Sequence, residues 1–249
     1  MRVALLLTAL GALAGCASTS SNGSSSPADP LEPLNRTSFA VSNGFDTVIL
    51  KPVAKGYEII IPSFLRRGVT NFSRNLRTPL DSINNLLQGK PGAAGNDLGR
   101  FLVNSTVGIG GLFDHATRMG LDQNTEDFGQ TLAVWGVPAG PYVYIPILGP
   151  FTLRDAFMIP VNQLADPMFY MKERSTRDKI YLGRAIDLRQ RLFAAEALIK
   201  DSADRYVTIR ESYLQRREYL VYDGDPPVDD DFYDDFLEDD EMLDDPGGP

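Results

Sequence analysis

The chain has one cysteine, one histidine and one tryptophan in 249 residues, and each scarcity closes off a class of function. A lone cysteine permits no disulfide within the chain, so a fold in an oxidising compartment must rest on packing. One histidine and one cysteine supply no ligand cluster for zinc. Any Ser-His-Asp arrangement would have to use His115, whose neighbour Asp114 belongs on a different helix face, and no G-x-S-x-G elbow is present. The adjacent acids Glu126 and Asp127 diverge on a helix and suit its first turn better than a paired acid/base role. No enzyme activity, cofactor or metal is expected. Beyond the N-terminal segment no run reaches about 18 uninterrupted apolar residues, so no later span of a bilayer is expected.

What is present starts at the N-terminus. Arg2 is followed by Val3 to Leu13, nearly all Val, Ala and Leu, and then by Leu13-Ala14-Gly15-Cys16. A short apolar core closed by small residues before a cysteine is the pattern of a bacterial lipoprotein signal peptide. Residues 1–15 are then removed and Cys16 becomes an acylated first residue, whose chains anchor it more firmly than one chain would. Ala17, where an Asp favours inner-membrane retention, points to the outer membrane. Residues 16–28, rich in Ser, Thr, Asn and Gly, read as a lipidated flexible tether.

Charge is unevenly placed. Of 33 acidic residues, thirteen lie from Asp223 onward, where no Lys or Arg occurs. The net charge of −9 therefore hides a mildly basic body and a strongly acidic tail. Residues 223–249 read as disordered and solvated, leaving 29–222 as one compact, mainly α-helical domain. Nothing in this distribution points to nucleic acid.

Within the domain, helical signals run from Asn35 to Asp46 and through the apolar Thr47 to Ile61. Over Pro62 to Thr78, Leu65, Val69, Phe72 and Leu76 share one face, with Arg66, Arg67, Arg74 and Arg77 off it, and Pro79 is expected to end the helix. This pattern fits a helix on a bilayer surface and equally an ordinary solvated one. Shorter helices are expected over Pro91–Val103, Leu112–Met119 and Thr125–Val134. The Gly108-Ile109-Gly110-Gly111 turn lacks the strand and the Lys-Ser/Thr of a phosphate loop. Pro138 to Phe151, with four prolines among Tyr142, Val143, Tyr144, Ile145, Ile147 and Leu148, is no helix and must be buried in protein or in lipid. Thr176–Lys200 carries a seam of Tyr181, Ala185, Leu188, Leu192, Ala195 and Ile199. Ala203–Leu220, with Tyr206, Ile209 and Tyr213 on one side, is a suitable partner for a helical hairpin.

Together these segments resemble the VacJ/MlaA family of outer-membrane lipoproteins. The resemblance is carried by Asp29-Pro30-Leu31-Glu32-Pro33-Leu34-Asn35-Arg36, Lys51-Pro52-Val53-Ala54, Gly99-Arg100-Phe101, Asn104-Ser105-Thr106, the Gly108–Leu112 turn with Asp114, Glu126-Asp127-Phe128-Gly129-Gln130-Thr131-Leu132, and Arg154-Asp155. It implies a helical, ring-like body in the inner leaflet of the outer membrane, offering a passage by which misplaced phospholipids leave the outer leaflet. It also implies a periplasmic lipid carrier and trimeric porins as partners. On that basis Arg66, Arg74 and Arg77 are candidates for the lipid path. Gly108, Gly110 and Gly111 are candidates for a hinge, and Tyr142 and Tyr144 for a gate. The rival readings are a lipoprotein scaffold for outer-membrane protein assembly and a lipid esterase using Ser105 or Ser63 with His115.

Overall fold

A computed structural model describes residues 28–227; Cys16, the tether and the tail from Val228 lie outside the described residues. The chain is mainly α-helical. Helix α1 (Glu32–Phe45) runs through a π turn at Asp46–Leu50 into α2 (Lys51–Ile60). Then come α3 (Ser63–Leu87), α4 (Pro91–Thr106) and α5 (Phe128–Val134). A small antiparallel hairpin, β1 (Tyr142–Ile145) and β2 (Gly149–Thr152), pairs Tyr142 with Thr152 and Ile145 with Gly149. The short α6 (Leu153–Ala156) and α7 (Met158–Ala165) lead to α8 (Arg174–Arg191), α9 (Phe193–Leu198) and α10 (Arg205–Val221). Among the described residues no helix is long and apolar enough to cross a membrane.

The burial pattern is reversed. Among the described residues only five apolar side chains are buried, Ala54, Ala94, Ala116, Tyr142 and Tyr206, against twenty-one polar or charged ones. Large apolar side chains stand outside instead: Leu198 is 88% exposed and Ile59 81%. Helix α3 shows how this arises. Its second half turns Asp81, Ser82, Asn84 and Asn85 inward and leaves Ile83, Leu86 and Leu87 outward. Ser82 Oγ donates to Ala94 C=O (2.8 Å) and Asn85 Nδ2 to Asp97 Oδ2 (2.8 Å), fastening α3 to α4.

Several sequence expectations change for identifiable reasons. Pro79 lies inside α3 and does not end it, because the polar side chains beyond it are held by α4 and offset the one lost backbone bond. The actual stop is Gly89, at φ +77°, with Lys90 N–H on Asn85 C=O. Over Leu112–Met119 only Thr117–Met119 is helical. Asn104 Oδ1 takes the His115 and Ala116 N–H groups and Asp114 takes that of Thr117, a competing use of the backbone. Helix α5 starts at Phe128 since Asp127 is its N-cap, accepting from Gln130 N–H.

The expected Thr176–Lys200 helix breaks at Leu192, a break that brings Glu196 onto Arg189 and Lys51. Its apolar seam is not the inner face: Leu188 and Leu192 are exposed, and the buried residue is Asp187, which accepts from Thr70 Oγ1 (2.8 Å) and Arg191 Nε (3.1 Å). Nor do α8 and α10 form the expected hairpin. Helix α8 packs on α2 and α3, and α10 packs on α5 and β2, because their inward charges find partners on those different elements.

The glycine turn after α4 tests how tightly this interior is fitted. Gly111, at φ +92°, has Asn75 Cβ 2.5 Å from where its own Cβ would stand, whereas Gly110, at φ +69°, has open space. Gly110→Ala is expected to cost about 1 kcal/mol from backbone strain alone. Gly111→Ala adds overpacking of roughly 1–3 kcal/mol. Thermal unfolding of the two variants in detergent checks the difference; equal midpoints would contradict it.

Candidate functional site

The interior is a set of ionic clusters. The deepest joins three segments distant in sequence. Arg217 on α10 donates to both carboxylate oxygens of Asp127 (2.6 and 3.1 Å) and through Nη2 to Asp155 Oδ1 (2.9 Å). Asp155 also accepts from Tyr213 OH (2.8 Å). Burial alone would raise the Asp127 carboxyl, but the Arg217 hydrogen bonds and charge outweigh it and hold the group below the usual carboxylate range. Gly129 is what admits the guanidinium: a Cβ there would lie 2.5 Å from Asp155 Oδ1 and 2.8 Å from Arg217 Nη2.

A second cluster ties the chain's start to its end. Asp29 accepts from Asn35 Nδ2 (2.7 Å), Arg210 Nη1 (3.2 Å) and Tyr206 OH. Asn35 also bridges the hairpin, donating to Tyr142 C=O (2.9 Å) and accepting from Tyr144 N–H (2.8 Å). A third holds the α4 end: Arg100 reaches Asp114, Thr117 Oγ1 and Leu121 C=O. Burial would raise Asp114, yet its bonds from Thr117 and Asn104 and the Arg100 charge bring it down to about 2.

Next to the α3–α4 contact the balance differs. Asp81 is pushed up to about 7 by burial, with Arg77 opposing only in part. Burial likewise raises Asp97 and Glu126. Beside them opens a cavity of about 380 Å³ bounded by α3, the Gln123–Glu126 stretch, α5 and the end of α10.

The sequence candidates are distributed as follows. Arg74 is exposed and its Nη1 reaches Gln123 Oε1 (3.4 Å); Arg77 pairs with Asp81 (3.2 Å). These two share one side of α3. Arg66 stands apart, 3.6 Å from Glu58 on α2. Gly108, Gly110 and Gly111 form a turn held by Gly110 N–H on Ser105 C=O and Gly111 N–H on Asn104 C=O (3.0 and 2.7 Å) and packed against α3. Tyr142 is fully buried among Tyr206 and Tyr213, and Tyr144 packs edge-on to Phe39. The Pro138–Phe151 segment thus divides between a root buried in protein and a tip, Ile147 and Leu148, that is exposed. Ser105 Oγ accepts from Asn75 Nδ2 (2.9 Å), and among the described residues no hydrogen bond joins Ser105 or Ser63 to the His115 ring. Sequence reasoning missed Arg217, Arg210, Asp155 and Asn85 as interior residues. The one signal available was spacing: Arg210 and Arg217 are seven residues apart and so share a face of α10.

A helical body with ionic clusters within and many large apolar side chains outside has the kind of surface that meets a membrane or another protein. The chain belongs to the MlaA lipoprotein family, whose model matches residues 27–220. It is 34% identical over 202 residues to the Escherichia coli K12 intermembrane phospholipid transport system lipoprotein MlaA, covering 77% of each chain. The Haemophilus influenzae protein of that name is 33% identical over 203 residues, covering 76% of this chain and 78% of its own. An uncharacterized Rickettsia typhi protein is 35% identical over 189 residues, 75% of each. A solved structure, reported as the structural basis for maintenance of bacterial outer membrane lipid asymmetry, superposes with a TM-score of 0.69 at 34% identity. The match covers 78% of this chain and 98% of that one.

Two outcomes follow. Arg217→Met leaves Asp127 buried without its cation and Asp155 with Arg154 alone, for an expected loss of roughly 3–5 kcal/mol, and adding Asp127→Asn recovers part of it in a denaturant melt. For Asp81 the native carboxyl binds its proton more tightly than the unfolded one, so its contribution favours the fold at acid pH and is lost as pH rises from about 4 through about 7. Asp127 and Asp114 act oppositely, losing stability as pH falls below the ordinary carboxylate range. Asp81→Asn should therefore flatten the decline between pH 5 and pH 8 and raise the melting temperature at pH 8; an unchanged slope would refute the assignment.

Proposed function

We propose that this chain is an outer-membrane lipoprotein, anchored through Cys16, that embeds its helical body in the inner leaflet and gives phospholipids misplaced in the outer leaflet a polar route out of the membrane. The observation that carries the reading is the reversed burial: apolar side chains outside, carboxylates, carboxamides and guanidinium groups inside. In water that arrangement is costly, whereas against acyl chains the outer face is matched and the polar interior shelters a head group. Membership of the MlaA lipoprotein family and the phospholipid transport role in the name of the Escherichia coli relative support the same reading.

On this reading Arg74 and Arg77 offer their guanidinium groups to lipid phosphates, Arg66 serves the α2–α3 junction, and the hairpin tip at Ile147 and Leu148 is the edge that meets lipid. The lipid then leaves to a soluble periplasmic carrier, and trimeric porins hold the body in place. No step is chemical, so no residue is assigned a catalytic role.

The test uses cells in which the native gene is replaced by variants. Ile59→Asp with Ile60→Asp places two carboxylates on the apolar exterior, each costing roughly 3 kcal/mol if the site is at acyl-chain depth. It should lower membrane partition of a form lacking the Cys16 acyl groups and raise detergent sensitivity. Arg74→Glu should leave attachment intact and still raise detergent sensitivity. Wild-type behaviour of both variants would overturn the reading.

A further inference from the structure

The segment leading into α8 carries basic charge where helix electrostatics would not place it. Lys172 precedes the helix, Arg174 opens it and Arg177 closes its first turn, which holds no acidic residue. The N-terminal end of a helix is its positive end, so cations there oppose the dipole and do not complement it. The nearby acids answer only locally: Glu173, as N-cap, accepts from Ser175 N–H (3.3 Å), and Asp178 takes Arg177 (3.0 Å). Lys172, Arg174 and Lys179 stand exposed. The helix itself does not account for their position; an anionic surface outside it does.

The same region carries aromatic and apolar groups. Arg184 Nη1 donates to Asp166 (2.6 Å), and Asp166 is the N-cap of the 3-10 turn Pro167–Tyr170, accepting from Met168 N–H (2.9 Å). Residues 167–173 therefore run back from beside Arg184 to the start of α8, past a length of helix of about 15 Å. That path lays Phe169 and Tyr170 alongside the basic end. Their rings pack edge-on (5.4 Å), and Tyr170 is 66% exposed. The Tyr170 hydroxyl donates to Leu164 C=O (2.8 Å), so the ring leaves water without orphaning its polar tip. On α8 itself, Leu182 is 57% exposed and shares with Arg174 the half of the helix opposite buried Asp187. Aromatic rings, an exposed leucine and basic side chains in one strip are the composition of a membrane–water interface.

We propose that residues 167–182 form an interfacial patch that meets an anionic phospholipid monolayer at head-group depth. Phe169, Tyr170 and Leu182 lie among the upper acyl chains, and Lys172, Arg174 and Lys179 lie on the phosphates. The proposal rests on the membrane-embedded reading and adds to it a depth marker on the body and a preference among lipids. Charge makes the preference: phosphatidylcholine brings its own ammonium beside each phosphate, whereas phosphatidylglycerol leaves the phosphate charge to the protein's cations. The rival occupant of matching charge is the acidic segment of this chain beyond Pro227, and the experiment separates the two.

The experiment places the full lipidated protein in nanodiscs of phosphatidylcholine and phosphatidylglycerol. Trp135→Phe removes the only tryptophan, and Tyr170→Trp supplies a fluorescent reporter. One lipid or the other is brominated near the carbonyl end of its chains. At equal mole fraction, phosphatidylglycerol is expected to associate with the reporter at least about 5-fold more strongly than phosphatidylcholine, the effect of a single basic residue at an anionic surface. Lys172→Gln, Arg174→Gln and Lys179→Gln together should bring that ratio to about 1 while quenching by phosphatidylcholine persists, and salt at about 1 M should act the same way. Spin-labelled forms of the two lipids, applied to the protein without the reporter, should show the same preference and its loss in the triple variant; they decide alone if the reporter protein does not fold. Equal quenching by the two lipids would overturn the anionic patch and leave the embedding standing. No quenching at position 170, with strong quenching of an Ile59→Trp reporter, would take the patch off the membrane. No quenching at either position would overturn the embedding as well. A preference that emerges only after residues 228–249 are deleted would assign the basic end to the acidic tail and overturn the proposal.

Discussion

The Arg217 guanidinium between Asp127 and Asp155 is the contact on which the rest of the architecture turns. It joins α10, the N-cap of α5 and the short α6 at one point, across 90 and 62 residues of chain. In a water-soluble domain a buried ionic cluster of this kind, in which Arg154 also reaches Asp155 (3.2 Å), adds little net stability, because desolvating its charges consumes most of the Coulombic gain. On the proposed reading the comparison with an apolar core is the wrong one. Where the outer face meets acyl chains, helices gain little by burying Leu against Leu, and their association falls to close packing and polar contacts. Gly129, Ala54 and Ala94 provide the closeness, and the ionic clusters decide which helix meets which.

That division of labour explains what could be read from the chain and what could not. Periodicity located most helices, because an amphipathic stripe has the same spacing whichever way it faces. It could not say which side of the stripe was inside. Leu188 and Leu192 were assigned to a seam, while the buried residue of that helix is the adjacent Asp187. The reversal was available in principle: the lipoprotein signal expected at Cys16 would place lipid near the fold, and lipid as solvent inverts the usual rule. Tyr206, Ile209 and Tyr213 share one side of their helix in the sequence pattern, and of these Tyr206 is buried while Tyr213 OH donates to Asp155.

The partnerships themselves were invisible to local reasoning. Nothing in the neighbourhood of Asp127 announces Arg217, and no spacing rule links Asp29 to Arg210. Short motifs nevertheless marked the places. Glu126-Asp127-Phe128-Gly129 contains both the carboxylate and the glycine that admits its cation, and Arg154-Asp155 contains the second carboxylate. The motif at Asp29–Arg36 contains Asn35, which holds the hairpin. Pro79 failed as a stop signal for the same reason: a side-chain contact twelve residues away, from Ser82 to Ala94, decided a boundary that backbone chemistry alone left to proline.

An interior of this composition also constrains what can pass through or rest in it. A phospholipid leaving a monolayer must take its phosphate and amine out of water, at a cost that only matched donors and acceptors offset. Acceptors already paired with arginine, as at Asp127 and Asp155, have little left to offer. Among the described residues, buried side-chain oxygens with no hydrogen-bond partner include those of Asn75, Asn85, Gln130 and Asn162. Asn85 and Gln130 are among the residues around the cavity where the polar half of α3 meets the end of α10. On the proposed reading, the ionic clusters hold the polar interior in place, and a head group leaving the monolayer meets groups that the fold has already fixed in position.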